Sequence, residues 1–329
     1  MKVNVLMTAY NHENFIAQAI ESVLMQKTDF DFKLIIGEDC STDRTRLIVA
    51  DYVNKYPDKI RPIFREKNIG LMPNFIDLIG VCNSSEYLAW LEGDDFWTDP
   101  LKLQKQIDFL DHNPGFTMSS HNAGVMMEDK IVKSYCKPNH PAVIDLEYLL
   151  TYGSGGPTCS LVIRNKAIKK LPDWFWKIPA GDWAIQIVAA ESGKMKYFPY
   201  AMATYRRHGK SALYHQKKEA QSKGESDFCI PSKRTLAMID LLDGYFDNKY
   251  SELLKIQKIY WYDLYVAGYL EIGDINAAKT YFYKMIPILF TARFWRYPSI
   301  PMNRIAKLFM LALPALILKI IIKNEAKNH

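Results

Sequence analysis

Along residues 1–115, short β-branched and aromatic runs alternate with segments of helical periodicity, and a mostly parallel sheet flanked by helices is the architecture that absorbs such an alternation. Residues 3–7 alternate as a first strand, and Phe15, Ile16, Ala19, Ile20, Val23 and Leu24 then recur at helical spacing. Residues 32–36, 60–64 and 87–91 predict three further strands. Ser41 is expected to cap the second helix, which stops before Pro57, and Pro73 opens a third. Asp99 as N-cap and Pro100 at the first helical position predict a fourth helix, ending at Asn113-Pro114-Gly115. The expected fold class is α/β, a Rossmann-like mostly parallel sheet.

After residue 115 the rhythm loosens. Strands are expected at 116–121, 158–163 and 195–198, with a glycine-rich loop at 153–156 and a helix at 183–191. This half is read as acceptor-facing, with Trp174, Trp176 and Trp183 beside the loop. Residues 208–226 are polar and read as a linker or mobile loop, whereas 232–290 are strongly helical. Within them, 260–286 resemble one helix-turn-helix unit with Gly273-Asp274 at the turn, and a single unit cannot bury an array's core, so a helical appendage is expected. The domain reading is 1–225 for the main unit (1–115 nucleotide-binding, 116–225 acceptor-binding) and 226–329 for a helical extension with a basic apolar tail.

Charge and cysteines narrow the setting. The net charge of +6 lacks the aromatic-interleaved groove of a nucleic-acid binder, so nucleic acid is not an expected partner. In the tail, Arg304, Lys307, Lys319, Lys323 and Lys327 surround an apolar run at 308–318 that is broken by Pro314 and is far shorter than the roughly 20 residues a spanning helix needs. Interfacial attachment through 304–323 and a packed final helix both remain open. Five scattered cysteines with no Cys-x-x-Cys pair fit a reducing cytosol, and the first strand leaves no room for a signal peptide. The expected location is cytoplasmic, peripheral on the inner membrane face.

Chemistry concentrates at strand ends. The first strand runs into Thr8-Ala9-Tyr10-Asn11-His12-Glu13, a turn without glycine, which excludes a dinucleotide fingerprint, a P-loop and the glycine-rich loop of a nucleotidyltransferase. Tyr10 offers a ring for stacking on a base, and Thr8 offers polar groups at the sheet edge where open α/β folds bind ligands. Asp39, after the second strand, can accept a hydrogen bond from a uracil imide or a ribose hydroxyl, while Ser41 and Asp43 read as helix-start residues. Glu92-Gly93-Asp94-Asp95 places three carboxylates at one strand end. Their repulsion calls for a Mg²⁺ or Mn²⁺ ion shared with diphosphate oxygens, or for a plain solvated turn.

In order and spacing, Thr8-Ala9-Tyr10-Asn11, Glu38-Asp39-x-Ser41-Thr42-Asp43, Asn68-x-Gly70 and Glu92-Gly93-Asp94-Asp95-x-Trp97-x-Asp99-Pro100 resemble glycosyltransferase family 2, whose fold is of the GT-A type. The resemblance implies an inverting transfer from a nucleotide-diphosphate sugar, with UDP the usual carrier, to a glycan or lipid-linked acceptor. By matching, it implies Thr8, Tyr10, Asp39, Asn68 and Asp94 at the nucleotide. Asp94 corresponds to the metal ligand, assisted by Glu92, which stands where the family more often has Asp. Asp182, at the start of a helix in Ala180-Gly181-Asp182-Trp183, matches the catalytic base, although Glu-Asp is commoner there than Gly-Asp. Tyr205-Arg206-Arg207-His208 resembles a segment that brings a histidine to the metal, with Arg206 and Arg207 available to the diphosphate. No Gln-x-x-Arg-Trp motif of the processive synthases is present, so a nonprocessive enzyme is expected. The alternative is a nucleotide-binding scaffold that has lost turnover and recruits partners through its helical region.

Overall fold

The computed structural model describes residues 1–289 except 83, 179, 180, 210, 211, 226 and 228. They pack as two units, Met1–Leu149 with Gly153–Lys210, and Leu150–Tyr152 with the described residues after Ser211. Along the chain run β1 (Val3–Ala9), α1 (Ile16–Leu24), β2 (Phe32–Glu38), α2 (Thr45–Lys55), β3 (Ile60–Phe64), α3 (Leu71–Val81), β4 (Tyr87–Trp90) and β5 (Phe96–Trp97). There follow α4 (Lys102–His112), β6 (Phe116–Met127), β7 (Lys130–Ser134), β8 (Val143–Ile144), α5 (Leu146–Tyr152), β9 (Val162–Arg164), α6 (Gly181–Ala190) and β10 (Lys194–Arg206).

The sheet has the order β3-β2-β1-β4-β9-β6-β10-β5, with β7 paired to β6 and β8 to β10. The four strands β3, β2, β1 and β4 are mutually parallel. β9 runs against both β4 and β6, so β6 and its parallel neighbour β10 end at the same edge as β1 and β4. That topology delivers the turn after β10 to the carboxyl ends of the parallel strands, where ligands of open α/β sheets bind. β1 is buried on both faces, as a central parallel strand must be. The stripe Ile16, Ala19, Ile20 and Val23 of α1 packs with Val5, Met7, Leu34, Leu103 and Ile107 in one core.

Several elements differ from expectation for identifiable reasons. β6 and β10 are longer than read, and β7 was not anticipated, because every β7 residue is exposed and carries no apolar alternation. Residues 158–163 begin with a 3₁₀ turn, Thr158–Ser160, before β9. Ser41 does not cap α2, since its hydroxyl is engaged by the loop after β1. The expected polar linker contains a helix, α7 (Ala212–Ser222), whose side chains give no apolar stripe for a pattern search to find.

The second unit continues with α8 (Cys229–Tyr245), α9 (Ser251–Glu271) and α10 (Ile275–Leu289). The α9–α10 turn ends α9 with Gly273 at φ +78° and starts α10 with Asp274, whose Oδ1 accepts Ala277 N–H at 3.0 Å. Ile259, Val266, Ala278, Phe282 and Met285 form the seam, where Tyr265 and Tyr281 stack at 4.2 Å. No helix among the described residues is long and apolar enough to cross a membrane, and the tail 304–323 lies outside them.

Candidate active site

Two loops at the sheet edge are stitched together by reciprocal hydrogen bonds, and these account for the polar residues of the first two motifs. Asn11 N–H donates to Ser41 Oγ at 3.0 Å and Thr42 N–H to Asn11 Oδ1 at 2.8 Å. His12 N–H donates to Thr45 Oγ1 at 2.8 Å, and Glu13 N–H to Asp43 Oδ2 at 3.1 Å. Asp43 also serves α2, its Oδ1 accepting Thr45 N–H at 2.9 Å. Asn11 takes a left-handed conformation, φ 56°, which asparagine tolerates well. Between the stitches Tyr10 is left 42% exposed, free to offer its ring. Thr8 pairs beside Gly37, and its carbonyl accepts Gly93 N–H at 2.9 Å.

Asp39 is buried, and its two carboxylate oxygens accept Ile69 N–H at 2.8 Å and Gly70 N–H at 2.9 Å. It thereby holds the 68–70 loop, with Asn68 exposed, and Gly70 at φ +91° supplies the bend that a side chain would strain.

The acidic motif follows β4. Gly93 is required by packing, because a Cβ there would lie 2.8 Å from both His12 Nδ1 and Ile16 Cδ1 and 3.2 Å from the Thr8 carbonyl. Gly93→Ala is expected to displace His12 and Ile16 and to cost about 1–3 kcal/mol of stability, the range for overpacking. Thermal melting checks it, and an unchanged melting temperature would show that His12 and Ile16 can shift freely.

Asp94 Oδ2 lies 2.9 Å from His208 Nε2 and 3.9 Å from His12 Nε2. Burial alone would lift the Asp94 carboxyl, but the His208 hydrogen bond and the charges of His12 and His208 outweigh it and hold the group below the usual range. Glu92 is pushed up to about 8 by burial and by the negative charges of Asp94 and Asp182. Its Oε2 is buried with no hydrogen-bond partner among the described residues. Asp95 is buried too, and burial with the charges of Asp94 and Glu92 raises it well above the ordinary range. It faces Arg206, whose N–H donates to Asp95 Oδ1 at 2.8 Å.

Asp182 sits in the first turn of α6, its Oδ1 accepting Trp183 N–H at 2.8 Å. Burial raises its carboxyl, and its charge acts on Glu92, which brings the candidate base to the acidic motif. One turn on, Gln186 Oε1 accepts Gly155 N–H at 2.7 Å and its Nε2 donates to Ser154 Oγ at 2.9 Å. The glycine-rich loop therefore braces α6 from behind. Trp174 and Trp183 are buried. A Cβ on Gly181 would stand 3.0 Å from the Phe75 ring and 3.3 Å from Met72, which explains glycine where the family more often carries glutamate.

Arg206 is only 8% exposed, whereas Arg207 is exposed and donates its N–H to Met126 O at 2.9 Å. His12, Phe15 and Gln18 also belong to this cluster and carried no distinguishing signal in the sequence beyond following the first strand. No group of three or more His, Cys, Asp or Glu side chains among the described residues is placed to hold a metal unaided. An oxygen and an imidazole nitrogen converging from Asp94 and His208 nevertheless suit Mn²⁺ better than the oxygen-seeking Mg²⁺, and either ion completes its shell with phosphate oxygens and water at nucleotide sites.

A family profile described as Glycosyl transferase family 2 matches residues 4–171. The uncharacterized protein Rv1520 of Mycobacterium tuberculosis is 33% identical over 257 residues, 75% of this chain and 70% of that protein. S. aureus TarS 1–349 in complex with UDP-GlcNAc superposes with TM-score 0.53 at 14% identity, over 85% of this chain and 90% of that one. The mannosyltransferase PcManGT from Pyrobaculum calidifontis, in complex with GDP-Man and Mn²⁺, superposes with TM-score 0.54 at 13% identity, over 95% of this chain and 87% of that one.

Proposed function

Since the chain belongs to glycosyl transferase family 2 and is a glycosyltransferase of GT-A fold, we propose that it moves one sugar from a UDP-sugar to an alcohol acceptor with inversion at the anomeric carbon. The observation that carries this reading is the Asp94–His208 pair, 2.9 Å apart at the ends of β4 and β10, with the charge of Asp182 acting on neighbouring Glu92. Tyr10 and Thr8 receive the nucleoside, and Asp39 orders the loop carrying Asn68 against it. Asp182 accepts the proton of the acceptor hydroxyl as that oxygen attacks the anomeric carbon from the face opposite the nucleotide. The bond from the anomeric carbon to the diphosphate oxygen breaks, and the electron pair leaves with UDP.

Asp94 and His208, with Glu92 assisting, are the residues that would hold a divalent cation, Mn²⁺ or Mg²⁺, and when bound it would supply positive charge to the departing diphosphate. Exposed Arg207 is free to add to it. The acceptor is a glycan or lipid-linked oligosaccharide at the cytosolic membrane face, with residues 304–323 as the membrane contact. Calorimetry of UDP and GDP with and without Mn²⁺ tests the core of the reading. Metal-dependent binding with UDP preferred over GDP is expected, and no binding of either nucleotide would remove the assignment of this edge as the donor site.

A further inference from the structure

Arg206 was expected to meet the diphosphate, yet its surroundings use it differently. Its Nη1 donates to the Asp94 carbonyl at 2.7 Å and its Nη2 donates to Gln18 Oε1 of α1. The guanidinium carbon stands 4.4 Å from the Phe96 ring centre and 5.2 Å from that of Phe15. Phe15 in turn packs against the His208 imidazole, ring centres 4.5 Å apart, and His208 closes on Asp94 at 2.9 Å. The contacts form a ring, from Arg206 to Asp94 to His208 to Phe15 and back. Its members come from the turn before α1, the loop after β4 and the end of β10.

We propose that Arg206 is a positioning residue: clamped by Gln18, Phe15 and Phe96, it fixes Asp94 and His208 in the spacing that receives the cation. The proposal rests on the donor-site reading above. With two N–H directions taken by Asp94 O and Gln18, and aromatic rings against it, the guanidinium is committed to the protein and leaves the phosphate role to Arg207. Only a planar fork serves here, because an ammonium cannot span the Asp94 carbonyl and Gln18 while lying between two rings.

The full chain, wild type and Arg206→Lys, Arg206→Gln and Gln18→Met, is titrated with Mn²⁺ in the presence of UDP, free Mn²⁺ being read by electron paramagnetic resonance. UDP and uridine affinities without metal are measured in parallel. Outer-shell partners of metal ligands commonly set affinity by 10–100-fold, so the Arg206 variants are expected to weaken Mn²⁺ binding about tenfold or more. Gln18→Met is expected to weaken it by less, and metal-free UDP affinity is expected to hold within about twofold in all three. A merely structural lesion lowers metal-free UDP binding and the melting temperature together, and overturns the proposal. So does a loss of metal-free UDP affinity that spares uridine, the mark of a phosphate ligand. Should both Arg206 variants fail to fold, Gln18→Met decides: wild-type Mn²⁺ affinity there also overturns it. Wild-type protein that binds UDP without any response to Mn²⁺ overturns the cation role and with it the proposal, whereas wild-type protein that binds no UDP defeats the donor-site reading itself, a separate outcome.

Discussion

Asp182→Asn is expected to lower the rate of sugar transfer about a thousandfold while leaving UDP affinity unchanged, the middle of the range for loss of a general base. Asparagine is nearly isosteric and keeps an oxygen for Trp183 N–H, the bond that orients the side chain at 2.8 Å, but it cannot take the acceptor's proton. The effect therefore falls on kcat, with both substrates' binding intact. Burial raises the Asp182 carboxyl, and the base works only when ionised, so the acid limb of kcat/KM stands above the ordinary carboxylate range and is absent from the residual activity of the variant. The same shift separates catalysis from folding. A carboxyl whose folded pKa is raised binds its proton more tightly in the folded state, so stability declines as pH climbs from the unfolded pKa through the folded one. Asp182→Asn removes that decline and is expected to melt at or above the wild-type temperature at pH 8. Transfer at a tenth of the wild-type rate would move the base elsewhere.

The first half of the fold was legible because β1, β2 and β4 are buried, largely apolar runs with helix-periodic segments between them, a pattern set by the sheet's two covered faces. β7 was not, since an exposed edge hairpin has no face to bury, and α7 was hidden by its polarity. Lys102 shows the limit in one residue. No motif or periodicity marks this lysine at the start of α4, yet it is fully buried with its ammonium 3.9 Å from the Trp97 ring centre, and burial lowers it to about 7.

Among site residues, Asp94 and His208 stood out as chemical types, but their meeting across 114 residues of chain depends on β10 running parallel to β6. Ser41 was read as a local cap because capping is the local use of serine, and the reciprocal stitching to Asn11 is a contact that only the parallel β1–β2 pairing creates. The clamp was illegible for the same reason: Phe15 read as one position of an apolar stripe, Gln18 carried no signal, and Arg206 was assigned to the diphosphate, because their meeting is set only by the fold.

Asp94→Ala is expected to abolish the Mn²⁺ dependence of UDP binding and to reduce transfer about a thousandfold or more, the several kcal/mol a metal contributes to stabilising a leaving group. The neighbouring carboxylates cannot substitute. Asp95 is buried against the Arg206 backbone N–H at 2.8 Å, and burial with the charges of Asp94 and Glu92 raises its carboxyl well above the ordinary range, while Glu92 is pushed up to about 8. Of the three, Asp94 is the one drawn below its ordinary value, by its hydrogen bond to His208 and the charges of His12 and His208, and so the one that most readily gives a charged oxygen to a metal. Asp94→Asn should fail in the same way, because it keeps the reach toward His208 without the charge, whereas His208→Ala removes one nitrogen ligand that water can replace and costs about tenfold. Calorimetry with UDP at fixed Mn²⁺, paired with transfer rates, orders the three. If Asp94→Ala binds UDP with undiminished response to Mn²⁺, the cation sits on other residues and the convergence of Asp94 with His208 serves only to fix the β10 turn.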